Sequence, residues 1–300
     1  MVLGSGNYKY ERVEGWFNLP EYFHLEQENI MYPPGVACDS RDRVFLFGGG
    51  NHPVIIFDKS GSFVSCWGES HFVNPHGIFI APDDSVFLVD RQAHVVEKYS
   101  PDGKLLMTIG ERGWAQGTGS GRPFNMPSYA TVGPSGDIFV SDGYGNSRIH
   151  KFSAEGKLIK SWGQAGTGPG QFNIPHSVAV DRHGTVYVLD RLNHRIQLFT
   201  SDGEFINMWT DFRYPEAIYI DRKKDIFYIV EGLPGQENQP KVTIRDLTGR
   251  VLSQWGGRES QGKGVMDSPH GIWVDSELNI YVAESEPGIR GIHKFSKIQN

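Results

Sequence analysis

Pro75-His76-Gly77-Ile78 returns as Pro175-His176-Ser177-Val178 and again as Pro269-His270-Gly271-Ile272. Each copy runs on into alternating apolar residues. Each is followed by an acid 14 residues after its histidine: Asp90, Asp190 and Glu284. The histidines stand 100 and 94 residues apart. Spacing of that kind calls first for a search for a shorter repeat inside it.

One template fits six times. It opens on Pro or Pro-Gly and passes through an alternating run and a turn. A run such as Val86-Phe87-Leu88-Val89-Asp90 follows, then a polar turn and a run ending in an aromatic. A Gly turn leads to a last run that usually closes Trp-Gly or Ile-Gly. The copies begin at Pro34, Pro75, Pro127, Pro175, Pro215 and Pro269, and five of them end near Trp67, Ile109, Trp162, Trp209 and Trp255. Each copy therefore reads as four short strands of period two, which is one propeller blade. Asp102-Gly103, Ser135-Gly136 and Asp202-Gly203 mark tight hairpins. The expected fold is an all-β six-bladed β-propeller in one domain over residues 1–300. Copy six runs out after three strands. Tyr8-Lys9-Tyr10-Glu11-Arg12-Val13-Glu14-Gly15-Trp16 looks like a last strand, and it is expected to close the ring on the outer edge of copy six, protecting that edge.

Composition agrees. The 300 residues include 37 Gly and 17 Pro, with 38% hydrophobic residues, a mix suited to many strands and turns. A net charge of −6 without a basic stripe argues against nucleic-acid binding. No apolar run approaches the roughly 18 residues of a membrane helix. Residues 1–7 lack a basic region followed by an apolar core, so no secretory signal is read and a cytoplasmic monomer is expected. Cys38 and Cys66 lie in strand-like runs and read as buried free thiols; a disulfide would need export. The stretches 113–122 and 232–240 are long for a compact β fold and are candidate rims of a site.

In a six-bladed ring, successive blades are rotated by about 60°. The histidines occupy copies two, four and six, so they converge on the axis from three directions at one height. A lone Pro-His is ordinarily a local packing or capping choice. Three at matching positions in alternate copies are different, since copies one, three and five carry Gly35, Ser128 and Glu216 there. Three imidazoles with an open position are the arrangement of catalytic zinc, where a metal can activate water or polarise a substrate oxygen. His24, His52, His71, His94, His150, His183, His194 and His293 read as surface or supporting groups, with His52 and His71 set apart by their place in loops near the start of copy two.

From Pro34 to Phe295 the chain resembles the NHL-repeat propellers and, within them, the peptidyl-α-hydroxyglycine α-amidating lyases. The most specific words are Val140-Ser141-Asp142-Gly143-Tyr144-Gly145-Asn146-Ser147-Arg148-Ile149, Gly170-Gln171-Phe172-Asn173-Ile174-Pro175-His176-Ser177 and Asp190-Arg191-Leu192-Asn193-His194-Arg195-Ile196. The resemblance implies zinc on His76, His176 and His270, an essential Tyr144 and an active-site Arg191. It implies N–C cleavage of a carbinolamide to an amide and an aldehyde, on a peptide end or small molecule. Without it, Tyr144 reads as a turn tyrosine packed on the sheet, and Arg191 as a salt-bridge partner of Asp190 or a neighbour.

The departures are specific. A family arginine after the second strand of blade one is Gly49 here. A methionine before the third Pro-His is Ser268. An acid linked to a structural calcium in the family is Gly271, which takes support from that calcium. Arg91 stands 15 residues after His76, as Arg191 stands 15 after His176. Arg91 is therefore expected to take over a charge role lost at Gly49. Two other classes compete: a metal-dependent hydrolase or hydratase using the same trio, and a non-enzymatic NHL binding platform. The trio argues against the platform, and against gluconolactonase-type propellers, whose metal sits on carboxylate and Asn ligands.

Overall fold

The structure, a computed structural model, describes residues 1–20, 34–117, 120, 122–232, 240–256, 266–285 and 291–299. Six antiparallel sheets follow one another around a channel. Their innermost strands are Gly35–Cys38, Pro75–Ile80, Tyr129–Val132, Pro175–Val180, Pro215–Asp221 and Pro269–Val274. In blades one to five the four strands of each template copy pair in chain order. Among the described residues no helix is long and apolar enough to cross a membrane.

Second strands such as Val86–Asp90 and Val186–Asp190 are buried along their whole length, so their sequences are continuous apolar runs. Outer strands alternate or face solvent: Leu158–Trp162 is exposed except at its end. The closing tryptophans anchor one blade to the next. A Cβ at Gly103, Gly203 or Gly249 would come within 2.8, 2.6 or 2.7 Å of the ring of Trp67, Trp162 or Trp209 respectively. These hairpin glycines also have φ of +80° to +85°. Both the turn and the stacked indole therefore require glycine there.

Tyr8–Val13 pairs with Ile292–Lys297 in blade six, with Tyr10 opposite Lys297. A further strand that the sequence reading did not identify, Val2–Ser5, pairs with Tyr8–Val13. Ser5 N donates to Ser253 Oγ in blade five at 2.8 Å. Tyr10 is fully buried with its ring 5.2 Å from that of Trp255. Removing it opens a cavity in the closing blade. Tyr10→Ala is expected to cost about 3–5 kcal/mol, read as a lower urea midpoint with the metal content of the folded protein unchanged.

The two cysteines are not buried alike. Cys38 is buried on the innermost strand of blade one, but Cys66, on the outermost, is only half-buried. Its strand is the blade's outer edge, where one face meets solvent. The stretch 232–240 falls largely outside the described residues, as does His24.

Candidate metal centre

Each Pro-His stretch begins an innermost strand at a β-bulge. In blade four, Pro175 pairs with Asp190 and Ser177 with Leu189, so His176 has no partner across the ladder. In blade six, Pro269 pairs with Glu284 and Gly271 with Ala283, skipping His270. Blade two breaks register between Pro75 and Ile78 around His76. A bulge turns a side chain away from the regular alternation, and here it sends each imidazole to the axis. Glu216 is the bulged residue of blade five, between the Pro215–Glu231 and Ala217–Val230 pairs.

The acids 14 residues on hold the incoming chain. Asp90 accepts from the backbone N–H of Val73 and Asn74 at 2.7 and 2.9 Å. Asp190 accepts from Asn173 N at 2.7 Å. Glu284 accepts from Asp267 N and Ser268 N at 2.6 and 3.1 Å. Each carboxylate fixes the residues just ahead of a Pro-His, which accounts for the constant spacing.

The three imidazoles meet. Their ring centroids are 4.7 to 5.0 Å apart, and one ligand atom from each lies within 4.8 Å of the others. Every Nδ1–H donates to a backbone carbonyl of the next blade: His76 to Ser128 at 2.7 Å, His176 to Glu216 at 2.8 Å, His270 to Pro34 at 2.9 Å. A carbonyl only accepts, so each Nδ1 carries the proton and each Nε2 presents a lone pair. Burial lowers all three pKa values. His76 and His176 fall well below the usual range, helped by nearby arginines and the other rings. His270 falls to about 4. The trio is a neutral, lone-pair-bearing set.

Tyr144 closes it. Its Oη lies 3.0 Å from His76 Nε2 and 3.1 Å from His176 Nε2. One hydroxyl proton cannot satisfy two acceptors, so one of these contacts sets lone pair against lone pair. A cation shared by the Nε2 atoms removes that conflict. Three neutral imidazoles, each oriented by a hydrogen bond from its other nitrogen, fit a zinc-type ion.

Two guanidinium groups flank the same tyrosine ring. Arg91 Cζ stands 4.7 Å from the Tyr144 centroid and Arg191 Cζ 5.5 Å. Arg91 Nε donates to Asn74 Oδ1 at 2.7 Å. Arg191 is held by Glu216 rather than Asp190, NH1 to Oε2 at 3.3 Å. Burial works against the charge of Arg191, but Glu216 and Tyr144 outweigh it and raise its pKa. Asp190 instead pairs with Arg195, Nε to Oδ2 at 2.8 Å. Burial pushes the Glu216 carboxyl up to about 7, against the pull of Arg191. Sequence reasoning missed Glu216 as a member of this site. Its signal was its place in copy five at the histidine position.

Other expectations fare differently. At Gly271 a Cβ would lie 2.8 Å from Pro34 O, so this position supplies no carboxylate and the residues do not fit the calcium-linked acid. His150 and His293 are buried on the third strands of blades three and six, as supporting rather than surface groups. They lie 3.2 Å from Asp142 and 2.9 Å from Glu284, the acids that hold the loops. His71, in the connection into blade two and partly exposed, contacts Glu97 and Arg112 at 2.8 Å each.

The NHL repeat model matches residues 124–152 and 172–199. NHL repeat-containing protein 3 of Homo sapiens is 36% identical over 66% of this chain and 58% of its own length. Peptidyl-alpha-hydroxyglycine alpha-amidating lyase 1 of Drosophila melanogaster is 34% identical over 76% of this chain and 46% of its own length. The chain thus spans about half the length of these relatives. Virginiamycin B lyase from Staphylococcus aureus superposes with a TM-score of 0.61 over 89% of this chain and 96% of its own, at 15% identity, a likeness of fold alone. The chain is an NHL-repeat β-propeller that resembles the peptidyl-α-hydroxyglycine α-amidating lyases.

Proposed function

We propose that this protein is a zinc-dependent lyase that cleaves the N–C bond of a carbinolamide, at a peptide end or in a small molecule. The observation that carries the reading is the convergence of three lone-pair-bearing imidazoles, two of whose Nε2 atoms meet the Tyr144 hydroxyl, between two arginines. His76, His176 and His270 would hold the metal, which when bound supplies Lewis acidity toward a substrate hydroxyl.

The chain's own groups do the rest. Tyr144 acts here as the tyrosinate, its Oη taking the proton of the substrate hydroxyl. As the C–O bond becomes C=O, the N–C bond breaks and its electron pair goes to nitrogen. Nitrogen then takes a proton, which Tyr144 can return. The products are an amide and an aldehyde, and no other reactant is consumed. Arg191, fixed by Glu216, and Arg91, fixed by Asn74, present cationic forks beside Tyr144. They hold a substrate carboxylate and keep negative charge favourable near the tyrosine oxygen.

An α-hydroxyglycine-ended peptide is the first substrate to test. The expected products are the peptide amide and glyoxylate, with no labelled water oxygen in the peptide product; glyoxylate itself exchanges its aldehyde oxygen with water and is not read. Incorporation of label into the peptide product would favour the hydrolase or hydratase reading. Failure to bind any transition metal would sink both.

Arg91 has a separate test. Losing a charge-assisted contact at this site should lower kcat/KM by about 10- to 100-fold, or about 1.5–3 kcal/mol. Wild-type kcat/KM in Arg91→Ala with a turned-over substrate would remove Arg91 from the site.

A further inference from the structure

The top edge of blade one carries a second set of metal-ligating side chains, away from the axis. Cys66 is the penultimate residue of the largely half-buried fourth strand, Phe63–Trp67, and Glu69 lies two residues beyond its end. His52 sits in the loop between Val44–Phe47 and Val54–Phe57. The third and fourth strands pair with Val54 opposite Trp67 and Ile55 opposite Cys66. That register returns the end of one strand to the start of the other and brings the loop histidine over Cys66 and Glu69.

His52 Nδ1 lies 3.4 Å from Cys66 Sγ and 3.1 Å from Glu69 Oε1. The ligand atoms of all three residues lie within 4.8 Å of one another. Zinc takes sulfur at roughly 2.3 Å and imidazole nitrogen or carboxylate oxygen at roughly 2.0–2.1 Å. At tetrahedral angles those bonds set S and N roughly 3.5 Å apart, and N and O roughly 3.3 Å. The donor atoms thus already stand near liganding separations. Hydrogen bonding does not serve this geometry equally well. A neutral Nδ1 either donates to Glu69 or accepts from the thiol, but not both. One cation serves all three.

We propose that His52, Cys66 and Glu69 bind a divalent ion of the zinc class, at a site independent of the His76–His176–His270 centre and of the function proposed for it. On binding, Cys66 gives up its thiol proton to solvent. His52 ligates through Nδ1 with its proton on Nε2, and Glu69 ligates as the carboxylate. Thiolate with imidazole favours zinc-like metals over magnesium or calcium. Glu69 is half exposed, with 54% of its side chain accessible, so a fourth position opens toward solvent. The ion would tie the loop containing Gly48-Gly49-Gly50 to the segment leading into Pro75-His76, and so stiffen that loop.

Cobalt titration of the metal-free full chain tests this. A thiolate on Co²⁺ gives a charge-transfer absorption in the near ultraviolet that an all-histidine site cannot give. The chain's other thiol, Cys38, is buried on an innermost strand. The wild type should develop the band, and Zn²⁺ should erase it by displacement. Cys66→Ser should lack it, His52→Ala should need at least tenfold more Co²⁺, and the triple His76, His176 and His270 to Ala variant should keep it. Total zinc should be two per chain in the wild type and one in Cys66→Ser. No thiolate band in the wild type, or a band that survives in Cys66→Ser, overturns the proposal whatever becomes of the axial centre.

Discussion

Replacing His176 by alanine is expected to empty the axial centre and lower turnover at least about a thousandfold, a barrier rise of about 4 kcal/mol. His176 is 2% exposed. Its Nδ1 is committed to the carbonyl of Glu216, and its Nε2 faces Tyr144 Oη. No other orientation of the ring preserves both contacts. With two imidazoles left, the set drops below the three ligands that hold catalytic zinc. Metal analysis after dialysis should show one ion fewer per chain than wild type. A chelator applied to the wild type should abolish turnover, and zinc should restore it. Thermal unfolding distinguishes a lost ligand from a lost fold, since the Pro175–Val180 ladder does not use the imidazole. Full activity in a folded His176→Ala protein would end the proposed role of the trio.

Tyr144→Phe should separate binding from chemistry. The phenyl ring keeps the face on which Arg91 and Arg191 rest, so substrate carboxylate binding and KM should change little. What disappears is the single oxygen between the two Nε2 atoms. A missing general base costs about 10²- to 10⁴-fold, and the whole loss should appear in kcat. Metal content should stay at the wild-type value, because the three imidazoles keep their hydrogen bonds to Ser128, Glu216 and Pro34. Undiminished kcat would take the proton transfer away from Tyr144. A fall in metal content would make its oxygen a ligand instead.

The fold was legible because each blade repeats its own local chemistry. Period-two strands, hairpin glycines and closing tryptophans are short-range signals, and six weak copies reinforce one another. Strand Val2–Ser5 was not legible. It has four residues and no template copy to match, and its partner Tyr8–Val13 itself belongs to a blade built at the far end of the chain. Among site residues, the histidines announced themselves by repetition. Glu216 occurs at the same register but as a different residue, so it read as an absence of histidine. Its contact with Arg191 exists only because blades four and five meet there.

The sequence alone determined six blades, the closing role of residues 8–16, of which Tyr8–Val13 form the strand, and the three alternate positions that could share one ion. These follow from patterns within a few residues and from their recurrence. Only the tertiary structure decided which nitrogen of each histidine is free. Every Nδ1–H is claimed by a carbonyl of the following blade, and for His270 that carbonyl belongs to Pro34, 236 residues away. It also decided that Tyr144, Arg91 and Arg191 stack into one unit, and that His52 meets Cys66 and Glu69. Such contacts depend on the angle between neighbouring blades and the closure of the ring, which no local run of residues encodes.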